Sequence, residues 1–365
     1  MSITAIPPVI DPMIPETFSY GTNHVLQTVT VTTLSALPDK GYWVICIHGG
    51  AWRDPTQSAL NYLTPAVSIL AASEPYASTT HAHLAGFASI NYRLSPHPDH
   101  PQDRNSTTPT EYRAARHPDH IADVQAALAF LQRKYGFGDR YILVGHSCGA
   151  TLAFQSVMGS FRGNQTTTSN NGLVDGDGHG DGHGDGHGDG GDGVVDGSGG
   201  LGLGLGLGGG SVAMGPQAIL GTAGIYDLRA LRDDHVQIAA YQQIIEGAFG
   251  EEEALWDAVS PAAVRDERNG VVGGWTAGRL AVLAHSPDDE LVNARQHEVM
   301  SEALKPWVEA AASSSSQGGG GSSSSSRRKV ELLPIKGAHD DCWDKGIELA
   351  RAIAFTLDKL LELQE

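Results

Sequence analysis

Basic residues are scarce in this chain: 24 Lys and Arg stand against 42 Asp and Glu over 365 residues, a net charge of −18. A nucleic-acid partner would require a basic face to displace counterions from phosphates, so that class is excluded. Cysteine is scarcer still. Cys46, Cys148 and Cys342 form an odd set without metal-ligand spacing, which argues for a reducing compartment rather than a disulfide scaffold. No run of 18 apolar residues exists, so no helix is expected to span a membrane. The first twenty residues carry Asp11, Glu16 and four prolines, with no basic-then-apolar pattern. No secretory leader is therefore expected, and the expected location is cytoplasmic.

Glycine, by contrast, is abundant. Of 46 glycines, 21 fall within residues 162–211, where D-G-H-G units run from Asp177 and alternating Leu and Gly from Leu201. Too few bulky side chains are present there to offset the entropy of ordering, so a disordered insertion is expected. His179, His183 and His187 with their aspartates could chelate a cation only weakly, and no metal site is assigned to them. A second simple stretch, 312–326, is mostly Ser and Gly and reads as a flexible insertion. Setting both aside leaves about 300 residues, the size of one large domain. Seven aspartates of the first stretch (Asp175, Asp177, Asp181, Asp185, Asp189, Asp192 and Asp196) account for much of the charge, and without them −18 becomes −11.

In the remaining sequence strands alternate with helices. Val25–Thr32 alternates apolar with polar residues, as a half-buried antiparallel strand near a sheet edge would. Short apolar runs at 42–47, 86–92, 141–144, 218–221, 280–284 and 330–333 suit strands covered on both faces. Helical patterns follow at 117–135 (Pro118 suiting the first helical position), from Cys148, and at 236–249, 292–308 and 341–363. The fold class is therefore α/β, with a mostly parallel central sheet and helices on both faces.

Y-I-L-V-G-H-S-C-G (Tyr141–Gly149) runs a buried strand into G-x-S-x-G and then an apolar helix. That context marks a nucleophile elbow presenting Ser147. Upstream, the strand ending at Ile47 opens into His48, Gly49, Gly50, Ala51 and Trp52. Glycines there let backbone amides turn toward an oxygen bearing charge, so the Gly50, Ala51 and Cys148 amides are the candidate oxyanion donors. A serine nucleophile needs a base, and the base an orienting carboxylate. His339 alone of the 16 histidines follows a late buried strand through a short glycine-containing loop. After the strand at 280–284 come Asp288 and Asp289; Asp289, at the loop tip, is favoured, Asp288 stays open, and Asp227 is a third candidate. The repeated H-P-D-H (97–100 and 117–120) reads as helix-start chemistry rather than as a metal site. Cys148 is expected to turn its sulfur inward, and Trp52 and Tyr92 are candidate pocket walls.

H-G-G-A-W, I-N-Y-R-L-S (90–95), H-P-D-H-I-A-D-V (117–124), G-H-S-C-G-A and G-A-H-D-D together resemble the kynurenine formamidase (arylformamidase) branch of the α/β-hydrolases in its fungal form. The resemblance implies an α/β-hydrolase fold, Ser147 as nucleophile, Asp289 as acid and His339 as base. It implies hydrolysis of N-formyl-L-kynurenine to L-kynurenine and formate, a step of tryptophan degradation toward NAD. The expected partner is a small aromatic formamide, without cofactor, metal, nucleic acid or membrane; a homodimer stays open. A general carboxylesterase on the same triad is the alternative, and a non-catalytic binding protein on a hydrolase scaffold the more distant one.

Overall fold

Eight strands make one sheet in a computed structural model that describes residues 14–34, 38, 40–162, 213–314 and 327–364. In chain order they are β1 (Glu16–Ser19), β2 (Thr28–Thr33), β3 (Tyr42–Ile47), β4 (Leu84–Ile90), β5 (Tyr141–His146), β6 (Ala218–Thr222), β7 (Leu280–His285) and β8 (Lys329–Pro334). Their spatial order is β1-β2-β4-β3-β5-β6-β7-β8, antiparallel at β1-β2 and β2-β4 and parallel from β4 onward. The α/β-hydrolase fold is thereby established, while the expectations for 163–212 and 315–326 fall outside the described residues.

The apolar runs are continuous because both faces of the parallel strands are covered. Trp43, Ile45 and Ile47 join one core, and Tyr42, Val44 and Cys46 join the other. On the first face lie α3 (Asp119–Tyr135), α4 (Cys148–Gln155) and α9 (Ala294–Ser314); on the second lie α1 (Ala59–Ala72) and α11 (Ile347–Glu362). Each large apolar side chain so buried contributes about 2 kcal/mol. Shorter helices complete the chain: α2 (Tyr76–His83), α5 (Leu228–Asp234), α6 (Ala239–Phe249), α7 (Glu253–Val259), α8 (Val271–Gly274) and α10 (Asp341–Asp344). Among the described residues no helix is long and apolar enough to cross a membrane.

Several boundaries differ from the sequence expectation. Pro118 stands as the cap of α3 rather than as its first residue. The second simple stretch begins as helix, since α9 runs through Pro306 to Ser314. The helix expected over 341–363 breaks at Gly346, which has φ 71° and sits so close to Pro65 that an added Cβ would lie 2.5 Å from its carbonyl carbon. The edge strand β1 and helices α1, α2, α5, α7 and α8 lie outside the elements expected from sequence.

Two of the motifs meet through a buried ion pair. Asp123 on α3 accepts from the Arg93 backbone amide (2.9 Å), from Arg93 Nε (2.8 Å) and Nη2 (2.9 Å), and from Gln27 Nε2 (2.8 Å). I-N-Y-R-L-S is thus locked to H-P-D-H-I-A-D-V and to the segment entering β2. The chain around the first simple stretch is also tied, since Arg162 Nη2 donates to Ala213 O (3.1 Å) and Gln132 on α3 holds Met214 through both its amide groups. Asp123→Ala leaves the Arg93 guanidinium and the Gln27 amide short of their acceptor, so we expect a loss of about 3 kcal/mol. Urea unfolding would show it as a lowered midpoint with an unchanged slope.

Candidate active site

Parallel strands deliver their C-terminal ends to one side of the sheet, which is where an open α/β sheet forms its sites. At the end of β5, Ser147 has φ 53° and ψ −122°, a conformation that costs a non-glycine residue about 1–3 kcal/mol. Three backbone bonds hold it there: Ser147 N–H donates to Thr222 O (3.0 Å), and Ile225 N–H (3.2 Å) and Ala150 N–H (3.1 Å) donate to Ser147 O. The flanking glycines are required by space. A Cβ at Gly145 would lie 2.4 Å from Gly149 O, and one at Gly149 would lie 2.3 Å from Ile47 O.

The loops after β7 and β8 bring the acid to the base. His339 Nδ1 lies 3.0 Å from Asp289 Oδ1 and 2.9 Å from Oδ2, and because a carboxylate only accepts, Nδ1 carries the hydrogen. Nε2 is then left with its lone pair. The Asp289 side chain is fully buried and also takes the Leu291 (3.0 Å) and Val292 (2.9 Å) amides. Burial alone would raise its pKa, but the hydrogen bond from His339, the nearby imidazole and the two amides outweigh burial and hold the carboxyl below its ordinary value. Asp288 is exposed, and Asp227 caps α5 by accepting from Ala230 N–H (2.9 Å). The base loop is further fixed by His339 N–H donating to Glu290 Oε2 (3.0 Å) and Ser286 Oγ–H donating to Gly337 O (2.6 Å). No hydrogen bond joins Ser147 Oγ to His339 here; such bonds often tighten only once substrate is in place.

After β3 the chain makes a turn in which Gly50, Ala51 and Trp52 all have positive φ (89°, 50° and 59°). Tyr92 lies beneath it and is fully buried, its hydroxyl donating to His48 O and Gly49 O (both 3.1 Å). A trans peptide points its N–H opposite to its C=O, so anchoring Gly49 O turns the Gly50 amide away from Tyr92. Among the described residues, the Gly50 and Ala51 amides donate to no backbone oxygen, and the Ala51 amide faces the Cys148 sulfur. A Cβ at Gly49 would lie 3.2 Å from the Ser147 Cβ, which places this turn directly against the elbow. Cys148 turns its sulfur inward, 3.3 Å from the Trp52 amide, and burial pushes the thiol up to about 11. Contrary to the sequence expectation, Trp52 and Tyr92 do not wall an open pocket; both are fully buried, because one packs edge-on against Phe249 and the other supports the turn.

Sequence reasoning overlooked Tyr92 as a support, Glu290, and the pair formed by His146 and Asp340. His146 Nε2 lies 3.3 Å from Asp340 Oδ1, and its ring centroid lies 4.7 Å from that of His339. Nothing in G-x-S-x-G singles out its second position. Among the described residues, the one group whose ligand atoms could converge on a cation is His146, His339 and Asp340, within 4.8 Å of one another. Asp289 already holds His339 Nδ1, and His146 and Trp343 both donate to Asp340 Oδ1.

No family model matches the chain. A kynurenine formamidase-like hydrolase of Fusarium equiseti is 35% identical over 325 residues, covering 88% of this chain and 85% of the relative. A kynurenine formamidase of Aspergillus versicolor is 30% identical over 342 residues, covering 88% and 90%. Among solved structures, a truncated carbohydrate esterase from gut microbiota superposes with TM-score 0.54 over 97% of this chain and 98% of its own, at 16% identity. Esterase B from Lactobacillus rhamnosis gives 0.54 over 98% and 89%, also at 16%. At that identity the likeness shows the fold.

Among the described residues, His48, His120 and His146 are buried and His117 is half-buried. Burial lowers all four: partly offset by nearby acceptors or carboxylates, it brings His48 and His117 to about 4 and lowers His146 as well, and reinforced by the His117 and Arg93 charges it brings His120 to about 3. Unfolding releases each to its ordinary value of 6.5, so below that pH the unfolded chain binds more protons and stability falls with falling pH. We expect the melting temperature to drop steadily from about pH 6.5 to about pH 4. Thermal melts across that range would check this, and a flat profile would mean that the rings are protonated in the fold.

Proposed function

The chain belongs to the kynurenine formamidase family of the α/β-hydrolases, and we propose that it hydrolyses N-formyl-L-kynurenine to L-kynurenine and formate, within tryptophan degradation. The observation that carries the reading is the His339–Asp289 pair, with Nε2 left as a base, beside a strained Ser147 and an amide-bearing turn.

In this reading His339 Nε2 takes the Ser147 proton as Oγ attacks the formyl carbon. The Gly50, Ala51 and Cys148 amides receive the oxyanion, and one such donor is worth about 3 kcal/mol. His339 then gives its proton to the departing aniline nitrogen. Water, deprotonated by the same imidazole, removes the formyl group from the serine. An aryl amine leaves more readily than an alkyl amine because the ring takes up the nitrogen lone pair, and a formyl group carries only hydrogen on the acyl side. The narrow approach of the Gly49 turn to Ser147 is compatible with so small an acyl group.

The test is release of formate and L-kynurenine from N-formyl-L-kynurenine, beside a short p-nitrophenyl ester. Formamide turnover that disappears in Ser147→Ala is the expected result; ester cleavage alone would assign a carboxylesterase instead. Asp289→Asn should lower kcat by about 10⁴, because the amide no longer fixes the required tautomer of His339. Asp288→Asn should leave kcat within about twofold, its side chain being exposed and away from the base. Steady-state kinetics of the two variants would separate these assignments.

A further inference from the structure

Two dipeptides face each other across the site: His146-Ser147 at the elbow and His339-Asp340 on the base loop. Their inner members are the nucleophile and base of the reading above, on which this inference rests. Their outer members are joined directly, His146 Nε2 to Asp340 Oδ1 at 3.3 Å. Asp340 can only accept, so Nε2 carries the hydrogen. The Nδ1 of a neutral ring is then free to accept from the Thr222 hydroxyl at 3.3 Å. Thr222 sits at the end of β6, and its carbonyl holds the Ser147 amide. The His146 ring is fully buried and packs against that of His339, with centroids 4.7 Å apart.

We propose that the His146–Asp340 pair is a positioning clasp that fixes the base loop against the elbow and so sets the approach of His339 Nε2 to Ser147 Oγ. The base loop places His339 five positions beyond the end of β8 at Pro334. Its remaining ties go to the end of β7 and the acid loop, through His285, Ser286, Asp289 and Glu290, and to Asp341 and Glu348 on the helices that follow, and none of these reaches the elbow. The clasp supplies the side-chain tie between base loop and elbow, one residue from each reacting group. Asp340 also accepts from Trp343 Nε1 (2.9 Å), which holds its carboxylate in place from α10. In accord with this arrangement, Asp340 is held down to about 2: burial opposes the charge, but the His146 and Trp343 hydrogen bonds outweigh it.

Asp340 is half exposed, so its substitution spares the core. In Asp340→Ala we expect kcat to fall about 10- to 100-fold, the usual effect of misplacing a catalytic group by about 1 Å, with KM within about twofold. Asp340→Asn keeps a neutral oxygen for both donors and should return kcat to within about threefold of the parent. Trp343→Phe, which removes only the second donor, should retain kcat within about threefold. The rate of Ser147 labelling by an organophosphate, read in parallel, should fall with kcat in Asp340→Ala. If Asp340→Ala turns over and is labelled as fast as the parent, or if Asp340→Asn is as impaired as Asp340→Ala, the clasp is wrong. If the parent protein itself is not labelled at Ser147, the failure belongs to the nucleophile assignment instead.

Discussion

Everything at the site rests on the closeness with which the ends of β3 and β5 approach the start of α4. Gly149 lies under the carbonyls of Ile47 and His48, and Gly145 lies under the first turn of α4, at separations that no Cβ tolerates. This contact forces the chain to reverse within one residue, and Ser147 absorbs the reversal as backbone strain. It also sets the oxyanion turn against the elbow. A methyl group at either glycine would push the two loops apart, and the donors and nucleophile would lose their common focus.

Strain of this kind persists only where its surroundings over-determine it. The surroundings here are layered: Thr222 and Ile225 hold the Ser147 backbone, Tyr92 holds the carbonyls of the oxyanion turn, and Asp289 holds the base. Farther out, the Arg93–Asp123 pair ties the segment that carries Tyr92 to α3. A residue distant from the chemistry, Asp123, therefore supports the platform on which Tyr92 stands.

The fold was legible wherever burial acts on every residue of a segment. The strands from β3 to β7 are largely apolar because both faces of the sheet are covered there, and that pattern survives without knowledge of neighbours, whereas the edge strand β8 is mostly exposed or half-buried. Ser147, His48 to Trp52, Asp289 and His339 were legible because each stands where a buried strand ends. Other features depend on contacts distant in sequence. Gly346 breaks a helix because Pro65 lies against it, and the helical pattern of 341–363 carries no sign of that proline. The helix Tyr76–His83 buries only Thr80 and so leaves no apolar stripe to read. His146 and Asp340 each sit beside a more conspicuous residue, and their pairing spans 194 positions. Tyr92 read as a pocket wall because aromatic side chains near a site often are; its hydroxyl decided otherwise.

The bond from Arg162 to Ala213 O has a bearing on how the chain accommodates length. One arginine side chain holds Arg162 to Ala213, while Gln132 secures Met214. Whatever joins those two points closes a loop whose ends are already fixed by the domain. Its entropic cost grows only with the logarithm of its length, about 0.6 kcal/mol for each doubling. Because Arg162 and Ala213 are already held together by the domain, added chain length between them costs its stability little.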